Sequence, residues 1–246
     1  MALAAWFEVS EQKCCGNHYR DRLSKSFRDW AAFLQVRGEL MAGWFLYSKL
    51  DKEVDYRCAQ EGADFRLTIG GSLVNCEVKT AVGGIPAGRY VGPGVPATRK
   101  IRSWLGDIAS QLDKDTANIV LFADCWRPGI STHYVLNALY GSQMIEMPVQ
   151  STPGKADPLP EPRFVRLRNG KFRPKQLTRV SAVGVLRFVA LDPGWRLQAW
   201  FVHNLYAAKP IPPEVLDPCP QFEPTEDRTE LRWRGGIGSN GLPIEA

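Results

Sequence analysis

Apolar and polar positions recur along this chain with two periods, and the change of period marks its elements. From Ser26 onward, Phe27, Trp30, Ala31, Leu34, Met41 and Phe45 recur at helical spacing, which predicts a core-packed helix over roughly 26–48. A strand-like stretch follows at Val54–Cys58, and from Ala63 to Lys79 the period drops to two. Residues 81–97, with five Gly and three Pro, read as a loop. Thr98 caps a predicted helix to about Leu112, with Ile101, Trp104, Leu105, Ile108 and Leu112 along one side. The continuous apolar run Asn118–Cys125 predicts a buried strand. A helix over 131–142, a Pro-rich linker over 148–162, and strands near 164–168, 171–174, 180–191 and 196–202 complete the pattern. Residues 1–25 read as a lead-in, 26–208 as one domain, and 209–246 as a Pro-rich acidic tail, flexible at its end. The order predicts an α/β (α+β) domain with a mixed central sheet flanked by helices and a β-rich C-terminal extension.

The period-two segment carries the first chemistry. Gly70-Gly71 lies between two alternating runs and predicts a two-residue hairpin turn. Counting outward, Ile69 faces Ser72, Leu67 faces Val74, Arg66 faces Asn75, Phe65 faces Cys76 and Asp64 faces Glu77. One face is then Phe65, Leu67, Ile69, Val74, Cys76 and Val78, which must be core, while Asp64, Glu77 and Lys79 share the other. Two carboxylates directly opposite each other destabilise a hairpin unless a cation lies between them. Hard oxygen donors at that separation suit Mg²⁺, and a lysine on the same face can hold a water and balance charge. That is the equipment of metal-assisted phosphodiester hydrolysis; the plain alternative is a solvated hairpin face with an ordinary Glu–Lys pair.

Asp64…Glu77-Val78-Lys79 resembles the PD-(D/E)XK nuclease superfamily, the restriction-endonuclease-like fold, with Ala63 where that family has Pro. The likeness covers about residues 26–126: a helix containing Gly38-Glu39, the hairpin, a second helix, then a buried strand. It implies a metal-dependent nuclease, a DNA endonuclease first of all, working by in-line attack of a Mg²⁺-bound water, with Mn²⁺ as an alternative ion. It implies Asp64 and Glu77 as metal ligands and the Val78 carbonyl as completing the shell. Lys79 would position the water or stabilise the developing charge, and Glu39 would be a third, outer acidic group.

A second segment favours a polyanion. Residues 163–187 hold eight Lys and Arg and no Asp or Glu, and Asn169-Gly170 is a strong hairpin signal. A hairpin over 164–174 would put Arg166, Arg168, Lys171 and Arg173 on one face and Val165, Leu167 and Phe172 on the other. A phosphate backbone would neutralise that face, and so would an acidic partner such as the Glu- and Asp-bearing tail. Arg99, Lys100 and Arg102, at the start of the 98–112 helix, are further candidate phosphate contacts.

Composition narrows the class. Lys and Arg number 31 against 26 Asp and Glu, a net +5, which permits a nucleic-acid partner without demanding one. No apolar run approaches the ~18 residues of a membrane span, so no membrane partner is expected. Six cysteines are too sparse for a disulfide scaffold and read as free thiols of a reducing, cytoplasmic setting. The three histidines lie in no recognisable motif, and there is neither a P-loop nor a GxGxxG after a strand. Two other readings remain: a non-catalytic nucleic-acid-binding module of the same fold, and an assembly protein whose basic hairpin docks an acidic partner. A homodimer is compatible with cutting both strands of a duplex.

Overall fold

The computed structural model describes residues 2–13, 15–50, 53–57, 62–69, 71–80, 97–124, 130, 132–146, 163–166, 168–190, 195–226 and 230–235. Three helices open the chain: α1 (Ala2–Gln12), α2 (Gly16–Ser26) and α3 (Trp30–Ser48). Then come β1 (Glu53–Tyr56), β2 (Phe65–Ile69), β3 (Ser72–Thr80), α4 (Ala97–Ala109), β4 (Ala117–Asp124), α5 (Thr132–Tyr140), β5 (Gln143–Glu146) and β6 (Arg163–Arg166). The chain continues through β7 (Ala182–Ala190), β8 (Trp195–His203), a 3₁₀ turn (Pro213–Leu216), β9 (Gln221–Pro224) and β10 (Leu231–Arg234). One eight-stranded sheet runs in the order β1-β2-β3-β4-β7-β8-β9-β10. It is mixed: β3/β4, β4/β7 and β8/β9 are parallel and the other pairs antiparallel. Mixed α/β architecture with helices on both sides of the sheet is therefore as the pattern predicts.

Strand alternation divides the core into two layers. Phe65, Leu67, Cys76, Val78, Ile119 and Leu121 point to the side covered by α1–α3, with Leu34, Leu40, Met41 and Leu46. Val120, Phe122, Val183 and Val185 point to the other side, where Ile101, Leu105 and Ile108 of α4 and Val135 and Leu139 of α5 cover them. The β2–β3 register is the one counted from the turn: Phe65 opposite Cys76, Leu67 opposite Val74 and Ile69 opposite Ser72. Gly71 adopts φ +79, the left-handed conformation that a tight turn needs.

Four expectations need correction. Residues 1–25 are not a lead-in but two helices whose Trp6, Val9 and Tyr19 belong to the core. The 26–48 helix begins at Trp30, because the Asp29 carboxylate caps it by accepting from the Ala31 and Ala32 N–H groups. Phe27 and Trp30, assigned to the core face, are exposed. Flanked by α1 and α2 on one side and the sheet on the other, α3 buries nearly its whole circumference from Leu34 to Leu46, so no single apolar stripe marks its orientation. Gly38 lies where a Cβ would collide with Thr80 Oγ1 and crowd Ala123, and its absence lets α3 sit against the sheet. The tail is not merely a Pro-rich acidic extension: its β9 and β10 extend the main sheet, held by Arg232 and Arg234 on the buried Glu223.

The basic hairpin over 164–174 does not form. Arg163–Arg166 pairs antiparallel with Gln143–Glu146 instead, giving a separate two-stranded sheet. The Asn169-Gly170 corner serves a different contact. Asn169 Oδ1 accepts from the Ser142 N–H at 2.9 Å, and Gly170 packs so closely on the Leu139–Gly141 backbone that no side chain fits. Lys171 and Phe172 then donate backbone N–H groups to Ala138 and Leu139. The longer-range partner overrides the local turn signal. Cysteine usage also differs: Cys76 and Cys219 are buried free thiols, but Cys15 is disulfide-bonded. The 81–96 loop and the 148–162 linker lie outside the described residues. Among the described residues no helix is long and apolar enough to cross a membrane.

Candidate active site

The site forms where β2 begins and β3 runs on past it. The β2–β3 ladder closes at Phe65–Cys76; Asp64 immediately precedes β2, and Glu77 follows Cys76 within β3. β3 pairs with β4 as far as Thr80–Ala123, so its last residues keep a partner on one side only. Glu77 is in register with Val120, and Lys79 with Phe122, which places both on the α4 side of the sheet. Lys79 Nζ lies 3.1 Å from Glu77 Oε1, with the lysine side chain 32% exposed and the glutamate 9%. The ammonium is thus open to solvent while the carboxylate is largely withdrawn from it.

Asp64 Oδ2 accepts the Val78 backbone N–H at 2.8 Å, which fixes the carboxylate against β3. Its pKa is pushed up to about 8, first by burial and then by the neighbouring Glu39 and Glu77 carboxylates; the Val78 N–H and Lys79 oppose the shift. Glu77 is raised too, mainly by burial and also by Glu39, with Lys79 pulling the other way. These groups crowd negative charge into a poorly solvated corner, which a cation would relieve.

Glu39 reaches the same corner from α3, but it is engaged. It is 3% exposed and forms a two-pronged ion pair with Arg22 of α2, whose Nη2 lies 2.8 Å from Oε1. The Gln35 amide Nε2, one helical turn earlier, donates to Glu39 Oε1 at 3.0 Å and to the Val78 carbonyl at 3.2 Å. Gln35 Oε1 accepts the Thr80 N–H at 3.1 Å. Neither Gln35 nor Arg22 was singled out by pattern, although Gln35 and Glu39 stand four apart on one helical face.

The donor set fits a hard divalent cation: two carboxylates, with the second lone pair of the Val78 carbonyl as a further oxygen. Mg²⁺ is commonly held by one or two carboxylates, with waters and substrate phosphates filling its shell. Among the described residues no three His, Cys, Asp or Glu side chains are placed to hold an ion by themselves.

The basic residues are distributed unevenly. Arg99 and Lys100 are exposed on the first turn of α4, and Lys100 Nζ lies 5.3 Å over the Trp104 ring, which packs on Phe122, the neighbour of Lys79. Arg102 turns inward, donating to Asn137 O at 2.8 Å and Asn169 Oδ1 at 3.0 Å, and so ties α4 to α5 and the Asn169 corner. Arg168 is exposed, Lys171 approaches α4 at Gly106, and Arg173 donates to Gly170 O at 2.7 Å. Burial, and to a lesser degree the nearby Arg173, lowers the pKa of Arg102. Arg166 lies on β6 in register with Gln143 and not with Arg173, its partner in the expected hairpin.

Comparison with protein-family models, curated proteins and solved structures found no match to this chain.

Proposed function

We propose that this protein is a metal-dependent nuclease of the restriction-endonuclease-like fold that hydrolyses phosphodiester bonds, with DNA as the substrate to test first. The observation that carries the reading is the meeting of Asp64 and Glu77 beside Lys79, with burial raising both carboxylates. The order of elements supports it: α3, the β2–β3 hairpin, α4 and β4 follow one another as helix, hairpin, helix and buried strand, the order on which the resemblance rests.

Asp64 and Glu77 would hold Mg²⁺ or Mn²⁺, with the Val78 carbonyl alongside. When bound, such an ion supplies charge neutralisation at the phosphate and a more acidic water. Lys79 puts a cation next to Glu77, where it stabilises the negative charge that builds on the phosphate during in-line displacement. The Val78 N–H keeps the Asp64 carboxylate in place. Arg99, Lys100, Arg168, Lys171 and Arg173 would grip flanking phosphates without reading sequence. Arg102 instead holds that surface together from within.

One observation favours the second reading, a non-catalytic nucleic-acid-binding module. Arg22 already neutralises Glu39 and Gln35 already engages the Val78 carbonyl, which leaves two carboxylates for an ion. Cleavage of supercoiled and single-stranded DNA in Mg²⁺ or EDTA separates the two readings. The nuclease reading expects Mg²⁺-dependent cleavage that Glu77→Ala and Lys79→Ala abolish while DNA binding persists. Wild-type protein that binds DNA and never cuts it would leave the binding module.

A further inference from the structure

Past Cys76, strand β3 has no β2 residue left to pair with, yet the Val78 N–H and C=O and the Thr80 N–H are satisfied. Successive residues of a strand send their N–H and C=O groups to alternate sides. Val78 and Thr80 therefore point the same way as Cys76, toward where β2 would have continued. Three side-chain contacts replace the missing ladder. The Asp64 carboxylate accepts from Val78 N at 2.8 Å, Gln35 Nε2 donates to Val78 O at 3.2 Å, and Gln35 Oε1 accepts from Thr80 N at 3.1 Å. The Gln35 carboxamide presents a donor and an acceptor as a backbone peptide would, and so acts as one more unit of strand at the edge of β3.

The orientation of this amide is determined by its surroundings. Two acceptors, Glu39 Oε1 and Val78 O, surround the nitrogen, and a donor, Thr80 N–H, meets the oxygen. Exchanging the two ends would oppose acceptor to acceptor twice and donor to donor once. Glu39 in turn is held by Arg22. A chain of contacts thus runs from α2 through α3 to the two residues that flank Lys79.

We propose that Gln35 is a positioning residue for the Glu77–Lys79 segment, and that Glu39, held by Arg22, serves to orient Gln35 rather than to bind the ion itself. The proposal rests on the nuclease reading above. Its physical content is that the end of β3, bonded on one side by β4 alone, would fray without the Gln35 carboxamide. Glu77 and Lys79 would then lose their fixed separation from Asp64. Groups that hold metal ligands in this way commonly matter about 10–100-fold in affinity or activity.

The test compares full-length wild type with Gln35→Met, which preserves size and removes both bonds. Gln35→Ala, which suits a helix and fills no space, serves where Met does not fold. Three quantities are measured: exchange of the Thr80 amide against that of Leu121 in the middle of β4, Mn²⁺ affinity by calorimetry, and kcat and KM for DNA cleavage. The expected result is Thr80 exchange faster by about tenfold or more with Leu121 unchanged, since removing a local bond opens only a local unit. Mn²⁺ affinity or kcat should fall about 10–100-fold while KM for DNA stays within about twofold. Thr80 exchange at the wild-type rate overturns the proposal. So does faster exchange with Mn²⁺ affinity and kcat unchanged, because the contact would then be only structural. Wild-type protein that neither binds Mn²⁺ nor cleaves would refute the nuclease reading, and the proposal with it. A defect-free variant of an active wild type refutes the proposal alone.

Discussion

Replacing Asp64 by Asn should stabilise the metal-free protein while abolishing cleavage. The carboxylate is destabilised in its ionised form by burial and by two neighbouring carboxylates, which push its pKa from 3.8 to about 8. Over that interval, about 1.36 kcal/mol per pH unit amounts to roughly 6 kcal/mol of destabilisation once the group is ionised. Asn retains an oxygen for the Val78 N–H and carries no charge. It has a desolvation cost of its own, so about half of the total, roughly 3 kcal/mol, is the expected net gain. The sign with pH follows from proton binding. The folded form holds this proton more tightly than the unfolded chain does, so wild-type stability declines as pH rises from the ordinary carboxylate range to about 8. The advantage of Asp64→Asn should therefore be small at pH 5, grow through pH 7 and level off above pH 8. At about 2–4 °C per kcal/mol for a chain of this size, the gain near pH 8 is a Tm rise of about 6–12 °C in EDTA. Thermal unfolding of both proteins in EDTA from pH 5 to pH 9 reads it directly. A variant less stable than wild type across that range, or a Tm difference independent of pH, would refute the electrostatic reasoning. Adding Mn²⁺ should then stabilise wild type more than the variant, because only wild type keeps both carboxylates.

Three further outcomes follow from the packing. Arg22→Ala strands the buried Glu39 carboxylate and should cost about 3–5 kcal/mol in chemical denaturation, whereas Arg22→Ala with Glu39→Leu should recover most of it. Gly38→Ala forces a methyl group into Thr80 Oγ1 at the α3–β3 contact and should cost about 1–3 kcal/mol, read as a lower denaturation midpoint with unchanged slope. Removing Arg168, Lys171 and Arg173 together should flatten the log–log salt dependence of DNA binding by about 0.9 for each phosphate that they neutralise in wild type; an unchanged slope would place the DNA elsewhere.

What was legible in the chain was what repeats locally. Period two between Ala63 and Lys79, with a Gly-Gly turn, was enough to count the register of β2 on β3, because a one-residue slip would have put Phe65 and Leu67 on the wrong face. The apolar run at β4 was legible because a strand covered on both faces has no polar side to show. Where local signals competed with distant partners, the distant partners prevailed. Asn169-Gly170 has the residues of a hairpin turn, but β6 pairs back to β5 and the corner packs on the end of α5 instead. The proline-rich tail failed for a related reason. Its short strands are secured by Gln221 and Glu223, which are buried by neighbours that no local pattern reveals.

The candidate site divides along the same line, and the division has a physical origin. Asp64, Glu77 and Lys79 are joined by one hairpin, so counting residues brings them together. Gln35, Glu39 and Arg22 reach the same place from two helices, and that convergence depends on how α2 and α3 lie over the sheet. The orientation of α3 is set by burial on all sides and by the close approach at Gly38, neither of which leaves a periodic trace. A lone glutamate on a predicted helix was therefore visible as a carboxylate near the motif, but its partners were not. Those partners change its meaning. With Arg22 on one side and the Gln35 amide on the other, Glu39 is a buried, paired anion whose charge still raises Asp64 and Glu77. The corner thus holds two carboxylates whose pKa values are raised first by burial and further by the charge of Glu39, a group that the hairpin motif does not include. That arrangement costs stability unless an ion or an incoming charge restores the balance, which is why the stability of Asp64→Asn and the exchange of Thr80 test the site as directly as a cleavage assay does.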